Sequence, residues 1–272
     1  MKNKEIFPIL MYGDDKNEIT SAKRFAEQFP DLFKNVDKIK KLNIHRCYII
    51  FYDNPKKSKF LKDLEIIYEY HAGSCTTNVF LYKNNLVAIA QLGGPAAVNL
   101  MEELSIFGID EFIAVGSAGC LDDKVKNKFL IVTKAIRDEG ASYHYLKPST
   151  YISTSTILNK ELETYLKENK LEYTKGITRT TDGFYRGTQK KTELSKNLGA
   201  VCVEMECASW AACAKFRGFK FSQLLYFSDV VIDNKQQWQR ITKTTKEAYN
   251  KKEIIAQIVK NIIDDYVNKQ HQ

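Results

Sequence analysis

Long apolar runs are missing from this sequence of 272 residues. No segment approaches the ~18 consecutive apolar residues of a membrane-spanning helix. The first residues, MKNKEIF, lack the apolar run of a secretory signal peptide. We therefore expect a cytoplasmic protein with no membrane partner. The hydrophobic share of 44% is enough for one large core or two small ones.

Potential metal ligands and arginine are also scarce. The four histidines and six cysteines include no C-x-x-C pair, so there is little from which to build a zinc site, and we expect no metal. The cysteines lie mostly in apolar segments, which is typical of small buried side chains in a reducing compartment. The net charge of +8 comes mainly from lysines interleaved with Glu and Asp. This pattern indicates a solvated surface, and we expect no nucleic-acid partner.

Strand-like and helix-like segments alternate along the chain. The pattern predicts strands at 47–52, 78–82, 86–91, 110–119, 129–137, 172–181, 201–204 and 220–229. It predicts helices at 21–29, 93–107, 157–169, 188–198, 206–217 and 244–268. This alternation favours an α/β fold: a single-domain three-layer sandwich with a central mixed, largely buried β-sheet and helices on both faces. We expect residues 46–272 to form that domain and residues 1–45 to be an N-terminal extension packed on it.

The stretch AVCVEMECASWAACAKF, residues 200–216, puts Glu204 and Glu206 in apolar surroundings where a strand gives way to a helix. Burying an unpaired carboxylate is costly. Ligands of α/β sheets bind beyond the carboxyl ends of the strands. Small or polar residues follow four predicted strands, at 52–54, 116–119, 204–206 and 228–229. We therefore expect these ends to converge on a pocket, and both carboxylates to face a cleft rather than the core.

An ordered series of motifs resembles the nucleoside phosphorylase superfamily, which includes purine nucleoside phosphorylase, uridine phosphorylase and the methylthioadenosine/S-adenosylhomocysteine nucleosidases. Within residues 47–235 the motifs are, in order, GGPAAVNLMEELSIFGIDEFIAVGSAGCL, RDEGASYHY, TTDGFY, VEMECAS and FSD. The resemblance implies an enzyme that cleaves the N-glycosidic bond of a nucleoside, its small-molecule partner. It also implies that no cofactor is needed beyond phosphate as co-substrate, and that the chain forms a homo-oligomer, either a dimer or a hexamer.

The resemblance assigns the sugar side of the site. Glu206 matches the glutamate that accepts hydrogen bonds from the ribose hydroxyls. Met205 would pack on the sugar face, Glu204 would support the site, and Ser117 would lie beside sugar and phosphate. A purely structural role for Glu206, as a carboxylate stabilised by a helix dipole, stays open.

The resemblance also assigns the base side. The residues implied to line the base are Phe184, Ser228, Ala118 and Gly119. Asp229 matches the purine-specific aspartate that donates a proton to N7 of the leaving base, which is general acid catalysis. The uracil-reading residues of uridine phosphorylases fall near Thr188 and Lys190 and are not kept. We therefore expect purine nucleosides to be favoured, although a core role for Phe184 and a capping role for Asp229 stay open.

The phosphate side departs from the family pattern. The family's Gly-Asp-Pro-x-Arg loop is replaced by Asp53-Asn54-Pro55-Lys56-Lys57. A second phosphate arginine falls on Ala114, and a third, lent by a neighbouring subunit, falls on His71. Lys57, His71 and Ser117 are then the remaining phosphate ligands, and lysine lacks the bidentate fork of arginine.

Three functions stay open on these residues. Phosphorolysis to a free base and ribose 1-phosphate is the first expectation. Hydrolysis is the alternative, because Asp53 would repel phosphate and could act as a general base on water, as a carboxylate of this loop region does in the nucleosidases. A non-catalytic nucleoside-binding or storage protein is the third, since a fold does not guarantee an activity.

Overall fold

A large mixed β-sheet with helices on both faces forms the body of the computed structural model, which describes residues 7–11, 13, 15–232, 237–241 and 243–270. The strands are β1 (Arg46–Ile50), β2 (Glu65–Ala72), β3 (Cys75–Tyr82), β4 (Asn85–Ile89), β5 (Glu111–Cys120), β6 (Phe129–Asp138), β7 (Tyr151–Ser153), β8 (Tyr173–Thr181), β9 (Ala200–Glu204), β10 (Lys220–Ile232) and β11 (Gln237–Arg240). This architecture confirms the predicted α/β sandwich.

The strand order brings the predicted strand ends together. The sheet runs β11-β10-β6-β8-β9-β5-β1-β4-β3-β2, with β7 on β6, and β10 also pairs with β5. Strands β5, β9, β8, β6 and β10 therefore close into a ring. β1 and β10 both run parallel to β5, so their carboxyl ends lie at one edge. β9 is antiparallel to β5 but pairs with its last residues, Gly119 with Val203, so the end of β9 joins the same edge.

Seven helices in the described residues cover this sheet: α1 (Ala22–Gln28), α2 (Val36–Lys41), α3 (Gly94–Ile106), α4 (Thr156–Glu168), α5 (Gln189–Asn197), α6 (Cys207–Arg217) and α7 (Thr245–Gln270). Side chains of a strand alternate between the two faces. In β1, Cys47 and Ile49 enter the core beneath α3 and α6, whereas Tyr48 and Ile50 enter the core beneath α4 and α7. The sheet is buried on both faces because alternate side chains of its strands pack against helices on opposite sides.

The N-terminal segment contributes to the first of these cores. Phe33 is 5% exposed and stacks on Tyr68 at 5.2 Å between ring centroids. It also meets Phe107 at 5.8 Å, and Ile39 of α2 is fully buried. The boundary proposed at residue 46 stays a prediction, since these contacts do not distinguish an extension from part of the domain.

Five of the six cysteines are buried and Cys75 is exposed, and all six are free. No helix in the described part of the chain combines the length and apolarity that crossing a bilayer requires. The same part of the chain holds no group of three or more His, Cys, Asp or Glu side chains placed to bind a metal ion.

Candidate active site

Glu204 ends β9 with a carboxylate that is fully engaged by donors. Its Oε1 accepts from the hydroxyls of Thr178 at 3.3 Å and Thr180 at 2.6 Å. Its Oε2 accepts from the backbone N–H groups of Glu206 at 2.8 Å and Cys207 at 2.7 Å, at the start of α6. A carboxylate offers about four acceptor positions. All four are used, so Glu204 supports the site from behind and leaves no acceptor for a ligand.

Glu206 stands at the N-cap of α6 with half of its acceptor positions in use. Its Oε1 accepts from the backbone N–H of Gly93 at 2.8 Å, and its Oε2 accepts from the N–H of Met205 at 3.2 Å. Two of about four acceptor positions remain. Burial, followed by the charge of Glu204, raises the pKa of Glu206 to about 8.

Both glutamates are nearly inaccessible in this chain, Glu204 at 5% and Glu206 at 4% exposed. The expectation that both face a cleft does not hold for Glu204, whose acceptor positions are all taken by protein donors, and for Glu206 it stays a prediction. Burial raises the pKa of Glu204 as well, while its four donors oppose this effect. The burial of both side chains is tolerated because the Glu204 carboxylate is completely hydrogen-bonded and because Glu206 can take up a proton, which removes its charge.

Asp229 is aimed by an irregularity in β10. Phe227 pairs with Ala118 and Asp229 pairs with Gly119, so Ser228 forms a bulge between them. A bulge redirects the side chain that follows it. A Cβ atom added to Gly119 would lie 3.0 Å from Asp229 Oδ2, so the glycine is what allows this close approach.

Two donors hold the Asp229 carboxylate. The Ser228 hydroxyl donates to Oδ1, and the indole Nε1 of Trp238 on β11 donates to Oδ2 at 2.7 Å. The same added Cβ atom would lie 3.2 Å from the side chain of Val203, the residue before Glu204. Asp229 and the glutamate pair thus flank one glycine at the end of β5.

Phe184 lies in a short 3-10 turn after β8 and is 54% exposed. It is therefore not a core phenylalanine in this chain. Its ring meets Tyr185 edge-on at 4.9 Å, and Tyr185 is 93% exposed. The turn follows Asp182, whose charge contributes to the raised pKa of Glu206. An aromatic face is thus exposed on the turn that follows Asp182.

Ser117 is exposed within β5, between buried neighbours that include Ala118. Tyr226 faces it across the β5–β10 pair. Lys251 of α7 lies beside them: its Nζ donates to the carbonyl of Phe227 and stands 5.1 Å from the centre of the Tyr226 ring. Burial lowers the pKa of Lys251, opposed by the charge of Asp229.

Asp53 lies in the loop after β1 with its side chain 81% exposed. Its carboxylate forms an ion pair with Lys252 of α7 at 2.6 Å. The negative charge that sequence reasoning expected to repel phosphate is therefore neutralised by a lysine. The hydroxyl of Tyr249, also on α7, donates to the carbonyl of Lys57 at 2.8 Å, which ties the loop to the same helix.

The two remaining predicted phosphate ligands are placed differently. Lys57 ends the 3-10 turn Pro55–Lys57 and its side chain is exposed. His71 is exposed on β2, and its Nδ1 lies 3.0 Å from the Thr76 hydroxyl. β2 is the last strand of the sheet, three places from β1, so in the single chain His71 stands on a different strand from the other predicted site residues, which lie on or next to β1, β5, β8, β9 and β10.

Sequence reasoning missed four contributors to this site. Gly93 supplies a backbone donor, Trp238 holds Asp229, and Lys251 and Lys252 bring two cations from α7. The lysines follow the predicted loop by about two hundred residues and belong to an ordinary lysine-rich helix, so no local pattern marks them. The glycine stands in the quoted GGPAA motif, but its role depends on a carboxylate that is distant in sequence.

Residues 55–264 match the family model of the phosphorylase superfamily. A uridine phosphorylase of Thermococcus kodakarensis is 32% identical over 114 residues, which cover 41% of this chain and 41% of that protein. A DeoD-type purine nucleoside phosphorylase of Mycoplasma genitalium is 24% identical over 180 residues, 64% of this chain and 75% of that protein.

The alignments cover about half of the length of the first curated relatives, between 41% and 57%. Among solved structures, the 5'-methylthioadenosine/S-adenosyl homocysteine nucleosidase of Helicobacter pylori superposes with a TM-score of 0.62 at 20% identity, covering 82% of this chain and 99% of that one. That likeness establishes the fold. The similar proteins thus include both phosphorylases and a nucleosidase.

Proposed function

Because this chain belongs to the phosphorylase superfamily, we propose that it cleaves the N-glycosidic bond of a purine nucleoside with phosphate as the attacking group. The products are the free base and ribose 1-phosphate. The proposal rests on a difference between two neighbouring carboxylates: one is saturated by protein donors, and the other keeps hydrogen-bonding capacity that suits a sugar diol.

The observation that carries the proposal is the difference in acceptor use. Glu204 accepts four hydrogen bonds and is fixed in place. Glu206 accepts two, from Gly93 and Met205, and keeps two hydrogen-bonding positions for neighbouring hydroxyls, both acceptors when it is ionised and one donor and one acceptor when it is protonated. The ribose 2′- and 3′-hydroxyls are such a pair. Binding them would orient the sugar for attack at its anomeric carbon.

The leaving base is served by Asp229 in this proposal. Cleavage builds positive charge on the sugar and negative charge on the base, so a donor at purine N7 lowers the barrier. Ser228 and Trp238 hold the Asp229 carboxylate by hydrogen bonds, and Gly119, which has no side chain, leaves space for it. Phe184, half exposed beside this region, offers a face on which the base can stack.

The cations near Ser117 favour phosphate over water as the attacking group. Lys251 stands beside the Ser117–Tyr226 pair, and Lys57 lies in the loop after β1. Asp53 is an exposed carboxylate paired to Lys252, which makes it a weak general base. Without the family's arginines the phosphate contacts are fewer and monodentate, so we expect a high KM for phosphate.

Hydrolysis is the second candidate, because β5 carries Ala114 where the family has an arginine. The two reactions separate in one experiment. Inosine, adenosine, guanosine and uridine are incubated with the protein, with and without phosphate, and the sugar product is identified. We expect purine release that depends on phosphate and yields ribose 1-phosphate. Free ribose formed at an unchanged rate without phosphate would overturn phosphorolysis, and uridine turning over fastest would overturn the purine assignment.

Assembly is part of the proposal. His71 occupies the position that a neighbouring subunit lends in the resembled family, and it lies apart from the site in the single chain. Ile66, also on β2, is 45% exposed, so this strand offers an apolar side chain that a neighbouring subunit could cover. We therefore expect at least a dimer, tested by analytical ultracentrifugation together with activity at nanomolar concentration. A fully active monomer contradicts this assembly.

A further inference from the structure

A cavity of about 500 Å³ opens between the sheet and α5. Its polar lining comes from the end of β6, the middle of β8, α5 and the loop before β7: Arg137, Asp138, Ser149, Thr150, Arg179 and Lys191. We call this space the α5 cavity. Its volume falls within the range of about 300–1,000 Å³ that is typical of small-ligand pockets.

The α5 cavity lies on the opposite face of β8 from the candidate active site. Thr178 and Thr180 direct their hydroxyls to Glu204. Arg179 stands between them, and successive side chains of a strand point to opposite faces. It meets Ser195 of α5, to whose hydroxyl its Nη1 donates at 3.0 Å. The cavity is therefore separate from the nucleoside site but shares a strand with it.

Arg179 is a buried guanidinium with unused hydrogen-bonding capacity. It is 5% exposed, and among the described residues its Nε finds no hydrogen-bond acceptor. The nearest carboxylate oxygen, Asp138 Oδ2, is 4.0 Å away. An unsatisfied buried donor is costly, most of all on a charged group. Burial lowers the pKa of Arg179, as expected for a cation short of compensating charge.

The charged lining of the α5 cavity is predominantly positive. Arg137 is 5% exposed and donates to three carbonyls and two hydroxyls, with no carboxylate among these acceptors. Lys191, at the end of α5 nearest to Asp138, pairs with that carboxylate at 3.1 Å. Three cations therefore line the space against one carboxylate.

We propose that the α5 cavity binds a small phosphate-bearing anion, with Arg179 and Lys191 as its charged ligands. The guanidinium of Arg179 lines the cavity from the interior, and the ammonium of Lys191, 45% exposed, lines it from the side of α5. Thr150 lines the same space, as does Ser149, whose hydroxyl accepts from Arg137 and donates to the carbonyl of Tyr151. Arginine, lysine and hydroxyl donors together form the usual set for a phosphate group. The remaining volume, walled by Leu194 and Leu198, accommodates an attached sugar.

Hydrogen exchange measured by mass spectrometry tests the proposal, since it separates this site from the catalytic one. The probes are inorganic phosphate and ribose 5-phosphate at constant ionic strength. We expect either probe to slow exchange in residues 189–198 and 137–150. Slowed exchange in residues 51–58 and 115–119 reports the catalytic site independently, so failure of one site does not hide the other. A larger effect of ribose 5-phosphate indicates that the cavity takes the ester rather than the ion alone.

Two variants and a control complete the test. Lys191→Gln changes a half-exposed side chain and is expected to weaken the protection of 189–198 by ~10-fold or more in probe concentration, as the loss of one charge-assisted bond implies. Arg179→Gln is expected to abolish it. Lys160→Gln, exposed on α4 and outside the cavity, should match the unaltered protein. Absence of protection in 189–198, or protection unchanged in Lys191→Gln, overturns the proposal.

Discussion

The glutamate pair at the start of α6 and the Asp53 loop after β1 lie at the same edge of the sheet but differ in construction. The pair is at most 5% exposed and held by six hydrogen bonds from backbone and hydroxyl donors. The Asp53 side chain is 81% exposed and held by an ion pair with Lys252. Buried, hydrogen-bonded carboxylates are costly to remove, whereas an exposed ion pair contributes little to stability.

This difference separates two halves of the candidate chemistry. The sugar-binding half keeps the residues that the family motif implies, in a setting where each has a defined partner. The half that would receive the attacking group has lost its arginines and relies on lysines from α7. Substitutions in the first half should therefore be severe and those in the second mild, and five measurements test this contrast.

The largest effect is expected for Glu204→Ala. It leaves two backbone N–H groups at the start of α6 and the hydroxyls of Thr178 and Thr180 without their acceptor. Unpaired buried donors cost about 1–3 kcal/mol each before relaxation, so we expect a loss of at least ~3 kcal/mol in the free energy of unfolding. Chemical denaturation measures it. Glu172→Ala, which lies outside this network, is the control, and equal stability of the two variants would show that the network is not needed.

Glu206→Ala tests the sugar contact. We expect kcat/KM to fall by at least ~100-fold, or ~2.7 kcal/mol, because the diol is no longer oriented. Some stability is lost as well, since Gly93 and Met205 lose their acceptor. Nucleoside turnover in the folded variant is the readout, with Glu172→Ala as control. Near-normal kcat/KM would remove Glu206 from the site.

The pH dependence of stability follows from the raised pKa of Glu206. Its value of about 8 lies above the ordinary 4.5, so the folded chain holds a proton that the unfolded chain releases. The contribution of this bound proton to the free energy of unfolding is fully present below pH ~4.5 and is lost as the pH rises through ~8. We expect the Tm of the unaltered protein, relative to Glu206→Gln, to decline across this window. A constant difference from pH 5 to 9 argues against protonation of Glu206.

Asp229→Asn tests the leaving-group role. We expect cleavage of inosine or guanosine to slow by roughly 100-fold, at the low end of what the loss of a general acid causes. A nucleoside whose leaving group is already activated should be much less affected. Both rates are compared in the same preparation. An equal loss on both substrates would assign Asp229 to binding or structure instead of proton transfer.

Asp53→Ala is expected to have the smallest effect. Under phosphorolysis the substitution frees Lys252 and removes a negative charge near the phosphate, so activity should stay within ~5-fold or improve, and the KM for phosphate should fall. Under hydrolysis with Asp53 as base it should abolish turnover. Lys252→Gln is the companion variant, because it leaves Asp53 unpaired and should raise the KM for phosphate. Loss of all activity in Asp53→Ala would favour water as the attacking group.

The sequence predicted the regular elements well where their patterns are long and local. The helices that became α3, α4, α6 and α7 and the strands from β3 to β6 were each recognised from periodicity, Pro95 or small-residue ends. It did not predict α2, β2, β7 or β11. Three of these are short, with three to six residues, and β2 follows an irregular loop that provides no clear start.

By itself the sequence determined the α/β class, because periodicity is a local property, and the order of its motifs supports the resemblance that implies which groups carry the candidate chemistry. The tertiary structure decided what each group does for its neighbours. In the folded chain the hydrogen-bonding positions of Glu204 are all used, whereas Glu206 keeps some of its own. This difference depends on donors from Thr178, Thr180 and Gly93. It also brought α7 to the Asp53 loop. Burial and partnership arise only when distant segments meet, so no local pattern records them.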